Sequence, residues 1–181
     1  MKRLLLALLV TAGALHVLAR PLAAQTGCEG TSGSATIDGT PWTTACVIAA
    51  TALDCVDSLG GTYECFEILG TGDSQTIAIF LAQAPVQGQT YPLGGGGANG
   101  AMLIRDTGFW LTGDAPYTGE VHVTTYSPGS STLECTFFFE AQSLFLGPDA
   151  SVTDGAFVGR LVAVRDRTWS DVKTLYRETT R

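Results

Sequence analysis

Short runs of alternating apolar and polar residues fill the chain from residue 34 to residue 164, and glycine, proline, asparagine and aspartate separate them. Successive side chains of a strand point to opposite faces, so this alternation predicts strands with one buried and one solvated face. The turn residues between the runs are typical of an antiparallel fold. The predicted strands are residues 34–37, 42–53, 63–69, 76–82, 101–105, 109–112, 120–126, 133–141 and 156–164.

The alternation is clearest in the last third of the chain. Val121 and Val123 alternate with the polar residues Glu120, His122 and Thr124. In the next strand, one face is shared by Leu133, Cys135, Phe137 and Phe139. No segment between residues 34 and 164 has helical spacing over three turns, which disfavours parallel strands joined by helices. We therefore expect an all-β fold, an antiparallel β-sandwich of about seven to nine strands, with a calycin-like closed β-barrel as the alternative.

The N-terminus has the pattern of a secretory signal peptide. Met1, Lys2 and Arg3 precede an apolar stretch over residues 4–19, and small residues follow Pro21 up to Ala24. The alternative is a membrane anchor, but 16 residues are fewer than the roughly 18 that a span needs. We predict cleavage after Ala24. The predicted organisation is a signal peptide at 1–24, a linker at 25–33, a β domain at 34–164 and a tail at 165–181.

The tail differs from the rest of the chain in pattern and in charge. Thr168 and Asp171 resemble a helix capping box, and apolar residues then recur at helical spacing, at Trp169, Val172, Leu175 and Tyr176. This predicts a short basic amphipathic helix over residues 169–178, with a frayed end as the alternative. Such a helix must bury its apolar stripe, so we expect it to dock on the body of the protein or on a partner.

Charge excludes two classes of partner. From residue 25 to residue 160 the chain has fourteen acidic residues, only Arg105 and Arg160 as basic residues, and no lysine. Nucleic acids and anionic lipid surfaces require clustered lysine or arginine, so neither is expected to bind this body.

Four stretches together resemble a family of uncharacterised bacterial cell-envelope domains, many of them lipoproteins. They are A-T-I-D-G-T-P-W at 35–42, G-E-V-H-V-T-T-Y at 119–126, C-T-F-F-F-E-A at 135–141 and V-T-D-G-A-F at 152–157. The resemblance covers residues 35–160. It implies a secreted antiparallel β fold with no agreed activity, and it supplies no catalytic residues.

The chain has five cysteines, and in an oxidising compartment some of them are expected to pair. A hairpin turn centred on Gly60 places Cys55 opposite Cys65, so we predict a disulfide between them. Cys46 and Cys135 are both predicted to point into the core, and a second disulfide between them is the weaker prediction.

Cys28 is then left over, and two interpretations remain open. It is either a lipid-attachment residue at the start of the mature chain or a free or intermolecular thiol near the N-terminus. Gln25 stands three residues before Cys28, where a lipidation signal has a branched apolar residue.

The sequence shows no catalytic or metal-binding motif. His122 is the single histidine after the predicted cleavage, and we expect it on a wet face beside Glu120 and Thr124. The cysteines lack zinc-site spacing, and Asp54 and Asp57 are too few for a calcium loop. A glycosidase needs only two carboxylates, so loop acids stay open as candidates: Asp54, Asp57, Asp73, Asp106, Asp114 and Glu120. Loop acids are more often turn residues.

Aromatic residues are the remaining candidates for ligand contact, namely Trp42, Trp110, Tyr91, Tyr117 and Tyr126. Trp42 follows an Asp-Gly turn and is expected in the core, whereas the run Phe109, Trp110 and Leu111 must turn at least one side chain outward. Together these features predict an exported, non-catalytic domain that binds a ligand or partner or has a structural role, without a cofactor. The alternative is a carboxylate-based hydrolase that acts on glycans.

Overall fold

The computed structural model of this chain describes residues 28–56, 62–72, 74–105, 108–145 and 147–162. Within these ranges every helix or strand assigned is a β-strand. In chain order the strands are β1 (Ser32–Ile37), β2 (Thr40–Thr44), β3 (Val47–Val56), β4 (Thr62–Thr71), β5 (Gln75–Leu81), β6 (Thr90–Leu93), β7 (Gly100–Arg105), β8 (Gly108–Leu111), β9 (Gly119–Ser127), β10 (Thr132–Ser143) and β11 (Ala150–Leu161). The all-β prediction is confirmed. The predicted signal peptide at 1–24 and the predicted helix at 169–178 lie outside the described residues.

Hydrogen bonds join the eleven strands into one sheet that folds over into two layers. One layer has the order β2-β1-β11-β10-β9-β6, and the other has the order β3-β4-β5-β7-β8. All pairings within each layer are antiparallel. At one corner Arg160 of β11 pairs in parallel with Ile48 of β3, and at the other Gln142 of β10 pairs with Leu111 of β8. The architecture is therefore sandwich-like, as predicted, but the parallel pairing of β11 with β3 makes the sheet mixed rather than wholly antiparallel.

The structure has eleven strands rather than seven to nine, partly because the predicted strand 42–53 is two strands. β2 ends at Thr44 in one layer, and β3 begins at Val47 in the other. At this corner the Cys46 amide donates to the Thr44 hydroxyl at 3.0 Å, and the Val47 amide donates to the Thr31 hydroxyl at 3.1 Å. These side-chain oxygens replace the strand partners that the amides lose when the chain changes layer.

The other additional strand, β6, contains Pro92, and a proline within a short apolar run does not suggest a strand. β6 lies at one edge of the sheet order, where one side of the strand has no neighbour to receive an N–H bond. The opposite edge strand, β2, contains Pro41. Proline on both edges discourages pairing with further strands.

The interior follows the predicted alternation. Val121 and Val123 of β9 are buried, and so are the inward residues of β10, Leu133, Cys135, Phe137 and Phe139. The Phe157 ring of β11 lies 4.6 Å from Phe137 and 6.3 Å from Trp42, measured between ring centroids. One apolar core therefore lies between the two layers.

Candidate functional site

The cysteine pairing differs from the prediction. Cys28 and Cys46 form a disulfide with a Cα–Cα distance of 4.7 Å, and Cys135 is a buried free thiol. The predicted Cys46–Cys135 bond is therefore wrong. Cys46 lies at the corner between β2 and β3, outside any strand, so it does not share a strand face with Trp42.

Cys28 reaches this corner because the start of the described chain runs beside it. The Thr31 hydroxyl donates to the Cys28 and Ala45 carbonyls, at 2.8 and 3.0 Å. The prediction that Cys28 is left over is wrong. A sulfur atom in a disulfide cannot also carry a thioether-linked lipid, so this structure does not support lipid attachment at Cys28.

The register of the β3–β4 hairpin also differs from the prediction. Cys65 stands opposite Ala52, and Cys55 stands opposite Tyr63, with a register shift between the two pairs. Cys65 is disulfide-bonded. The side chain of Cys55 lies outside the described residues, so its bond to Cys65 stays a prediction.

The buried thiol of Cys135 is unreactive near neutral pH. Cys135 is 2% exposed, and burial raises the pKa of its thiol to about 12, an effect that a backbone hydrogen bond with Phe157 partly offsets. The thiolate is the nucleophilic and metal-binding form, so Cys135 is unsuited to nucleophilic or metal chemistry near neutral pH.

His122 lies on the outward side of β9, as expected. Its Nδ1 is 2.9 Å from the Thr90 hydroxyl of β6 across the strand pair. Within the described ranges, no group of three or more His, Cys, Asp or Glu residues is placed to hold a metal ion.

The structure describes two of the loop acids named as carboxylate candidates, Asp114 and Glu120. Asp114 lies in the turn before β9, where its carbonyl accepts from the Tyr117 amide at 3.0 Å, and Glu120 is exposed on β9. The carboxylates of Asp54, Asp57, Asp73 and Asp106 lie outside the described residues.

Two other acids come together, and sequence reasoning missed both of them. Asp38 occupies the β1–β2 turn, where it accepts from the Ser151 amide at 2.8 Å. The Ser151 hydroxyl donates to Glu140 of β10 at 2.6 Å. One serine of β11 therefore holds both carboxylates. The local signal was the Asp-Gly pair at 38–39, which marks a hairpin turn but does not reveal what the side chain meets.

Arg105 completes this cluster. It donates to Asp38 at 2.6 Å and to the Gln75 side chain at 3.2 Å, and its guanidinium lies 4.8 Å from the centroid of the Trp110 ring. We call Asp38, Gln75, Arg105, Glu140 and Ser151 the Arg105 network. It ties the β1–β2 turn to β5, β7, β10 and β11.

A second polar contact lies in the loops that flank β9 and β11. The Tyr117 hydroxyl donates to the Asp149 carboxylate at 2.9 Å. This hydrogen bond, together with desolvation and the negative charge of Asp149, raises the pKa of Tyr117.

The aromatic candidates divide into buried and half-exposed residues. Trp42, Trp110 and Tyr91 are buried, which confirms the core position of Trp42, and Tyr117 and Tyr126 are half-exposed. Trp110 donates to the Pro148 carbonyl at 2.8 Å, whereas the buried Trp42 Nε1 has no hydrogen-bond partner in the described part of the chain.

The neighbours of Trp110 in β8, Phe109 and Leu111, point away from the core, whereas Trp110 is buried, as the alternation along a strand requires. Phe109 and Leu111 lie on the outward side of β8 and pack against a second apolar cluster that is separate from the core. We call this cluster the outer apolar face. Its residues are Leu69, Ala78, Phe80, Met102, Ile104, Phe109 and Leu111.

Strand register makes the outer apolar face continuous. Leu69 of β4 pairs with Ala78 of β5, Ala78 pairs with Met102 of β7, and Met102 pairs with Leu111 of β8. Ala78 and Met102 are buried, while Leu69 and Leu111 are half-buried at the ends of this row. Phe145, which is 51% exposed, extends the face through a ring contact with Phe109 at 6.1 Å.

No helix among the described residues is long and apolar enough to cross a membrane. Comparisons with protein-family models, with curated proteins and with solved structures gave no match for this chain.

Proposed function

We propose that this protein is an exported cell-envelope β-domain that acts without catalysis, by binding a partner through the outer apolar face. Its place is the periplasm, the outer envelope or the extracellular medium. Two features support export: the signal-peptide pattern at residues 1–24 and the Cys28–Cys46 disulfide, a bond typical of oxidising compartments.

The outer apolar face is the observation that carries the binding proposal. An antiparallel sheet usually presents polar side chains on the face away from the core. β9 follows this rule with Glu120, His122 and Thr124, whereas β7 and β8 turn Met102 and Leu111 outward. Ala78, Met102 and Ile104 at its centre are buried, and the apolar side chains around them are half-buried. A contiguous apolar cluster on the outward side of a sheet is typical of an interaction site.

Site-specific photo-crosslinking in cells of the source organism tests this proposal. A benzophenone amino acid replaces Phe109 on the outer apolar face, and the matched control replaces Phe138, which is 51% exposed on β10. We expect a discrete adduct with another protein from position 109 and none from position 138. Adducts at neither position, or the same adducts at both, would refute the proposed face.

A glycan hydrolase is the second candidate, and the Arg105 network is the observation that favours it. Asp38 and Glu140 accept hydrogen bonds from the amide and from the hydroxyl of the same serine, and a glycosidase needs two carboxylates near each other. Protein donors already bond both carboxylates, and this supports a structural role instead.

Reducing-end release from peptidoglycan and from neutral polysaccharides separates the two functions. If the protein is a hydrolase, the wild type should release reducing ends, and both Asp38→Asn and Glu140→Gln should abolish the release. Asp114→Asn is the control that should retain it. The binding module predicts no release above the buffer blank from any of the four proteins.

A further inference from the structure

We propose that residues 163–181 of the same chain dock on the outer apolar face and compete there with the partner, an inference that rests on the proposed function of that face. The last described strand ends beside the layer that carries the face, the tail has the composition to cover the face, and the tail is long enough to reach it.

The exit of the chain is aligned with the face. Arg160 of β11 pairs with Ile48 of β3, and Ile48 pairs with Leu69 of β4, the first residue of the apolar row. Ile48 lies between the core residues Val47 and Ala49, so its side chain is on the outer side of the sheet, like that of Leu69. Arg160 and Leu69 are therefore two strands apart on one continuous outer surface.

The final hydrogen bond fixes the direction in which the chain leaves. The Val162 amide donates to the Ala49 carbonyl at 2.9 Å, so the backbone still runs along β3 at the last described residue. The described chain therefore ends beside β3, the neighbour of the strand that carries Leu69.

The tail is long enough to reach the outer apolar face and to cover it. Neighbouring strands are about 4.8 Å apart, so β5 lies about 14 Å from β11 across the surface. Residues 163–168 span up to about 20 Å when extended. The predicted helix of ten residues would be about 15 Å long, which matches the width of the strands it must cover.

The chemistry of the tail complements the face. The sequence predicts an apolar stripe of Trp169, Val172 and Tyr176. The tail has five basic residues against three acidic ones, the basic residues being Arg165, Arg167, Lys173, Arg177 and Arg181. The body is strongly acidic, and Glu67 flanks Leu69 on the same side of β4, in register with Phe80. Apolar contact provides the main stabilisation, because exposed ion pairs contribute little.

Docking in cis would regulate binding. A segment that covers the face on its own chain lowers the apparent affinity of a partner by the fraction of molecules in which the face is open. A partner then needs more apolar contact than the tail provides.

Intramolecular photo-crosslinking of the purified mature chain is the first test. The benzophenone amino acid replaces Phe80 on the face, with Phe138 again as the control position. We expect a link within one chain from position 80 to a peptide between residues 163 and 181. A covalent dimer from position 80 would assign the face to a second copy and overturn the proposal, and so would the absence of a link.

Limited trypsin digestion of the full mature chain is the second test. Trypsin cleaves after Lys173 and Arg177, and a docked tail protects both sites. Leu69→Ser removes an apolar contact from the face and should accelerate this cleavage about fivefold or more. Val158→Ser, at a residue 38% exposed on β11, is the control that should leave the rate unchanged.

Equal cleavage rates in the wild type, Leu69→Ser and Val158→Ser would overturn docking, and circular dichroism verifies that each variant is folded. Both tests use purified protein without a partner. They can therefore fail while the cellular adduct at Phe109 forms, or succeed while that adduct is absent, which separates this inference from the proposed function.

Discussion

Replacing Gly70 by alanine should destabilise the protein through one identifiable contact. A Cβ atom at Gly70 of β4 would stand 2.5 Å from Cζ of Phe157 and 3.3 Å from Cη2 of Trp42. Carbon atoms in contact are normally about 3.5–4.0 Å apart, so the Phe157 ring would have to move by about 1 Å. That ring is 1% exposed and is packed against Trp42 and Phe137, which leaves it no free space.

The expected cost follows from this geometry. An extra carbon in a well-packed core typically costs about 1–3 kcal/mol, and a displacement of this size in a closed aromatic cluster places Gly70→Ala near about 2–3 kcal/mol. Phe157→Leu shortens the side chain and leaves a cavity, at a cost of about 2 kcal/mol. In the double variant the methyl group of the new alanine at position 70 no longer contacts a phenylalanine ring. The double variant should therefore lose about 1–2 kcal/mol less than the sum of the two single-variant losses.

Urea unfolding of the wild type, both single variants and the double variant, under non-reducing conditions at one pH, measures these differences. Gly113→Ala is the matched control, because a Cβ atom at Gly113 meets nothing within 4 Å. Strictly additive losses would show that Gly70 and Phe157 do not contact each other as described. A large loss of stability in Gly113→Ala would show that alanine destabilises this fold even where its Cβ atom meets no neighbour.

Three further predictions concern the disulfide, the buried thiol and the Arg105 network. The double variant Cys28→Ser, Cys46→Ser opens a loop with a sequence separation of 18 and should lose about 3 kcal/mol in urea unfolding, and non-reducing peptide mapping of the wild type should recover these two cysteines in one linked peptide. The raised pKa of Cys135 means that the folded protein retains a proton that the unfolded chain releases. The free energy of unfolding is therefore unaffected by the ionisation of this thiol below its ordinary pKa of 9.0. Above that pH it should fall by up to about 1.4 kcal/mol per pH unit as the pH rises toward about 12. Urea unfolding from pH 8 to pH 11 should show a shallower decline in Cys135→Ala, and parallel curves would contradict the burial of an ionisable thiol. Asp38→Asn preserves an acceptor for the Ser151 amide and removes only a partly exposed ion pair, so it should cost less than about 1 kcal/mol, whereas Asp38→Ala should cost about 2 kcal/mol because it also removes that acceptor at a residue with φ of 50°. Equal losses in these two variants would contradict the described role of Asp38.

The sequence by itself determined the type of fold and most of the strands. Alternation is a local property, so the inward positions Leu133, Cys135, Phe137 and Phe139 follow from the spacing of residues within one strand. The Asp38-Gly39 turn is equally local, since both residues take the positive φ that a two-residue hairpin requires. The alternation did not predict β6 or the break between Thr44 and Val47. The edge position of a strand and a change of layer leave no periodic signal in the sequence.

Only the tertiary structure decided which distant residues meet. Arg105 and Asp38 are 67 positions apart in sequence, and Cys28 reaches Cys46 through the corner between two layers. The outer apolar face exists because the register aligns Leu69 with residues of β5, β7 and β8. A shift of one residue in any of these strands would reverse its faces, and such a shift depends on the packing of the whole sheet rather than on any single segment.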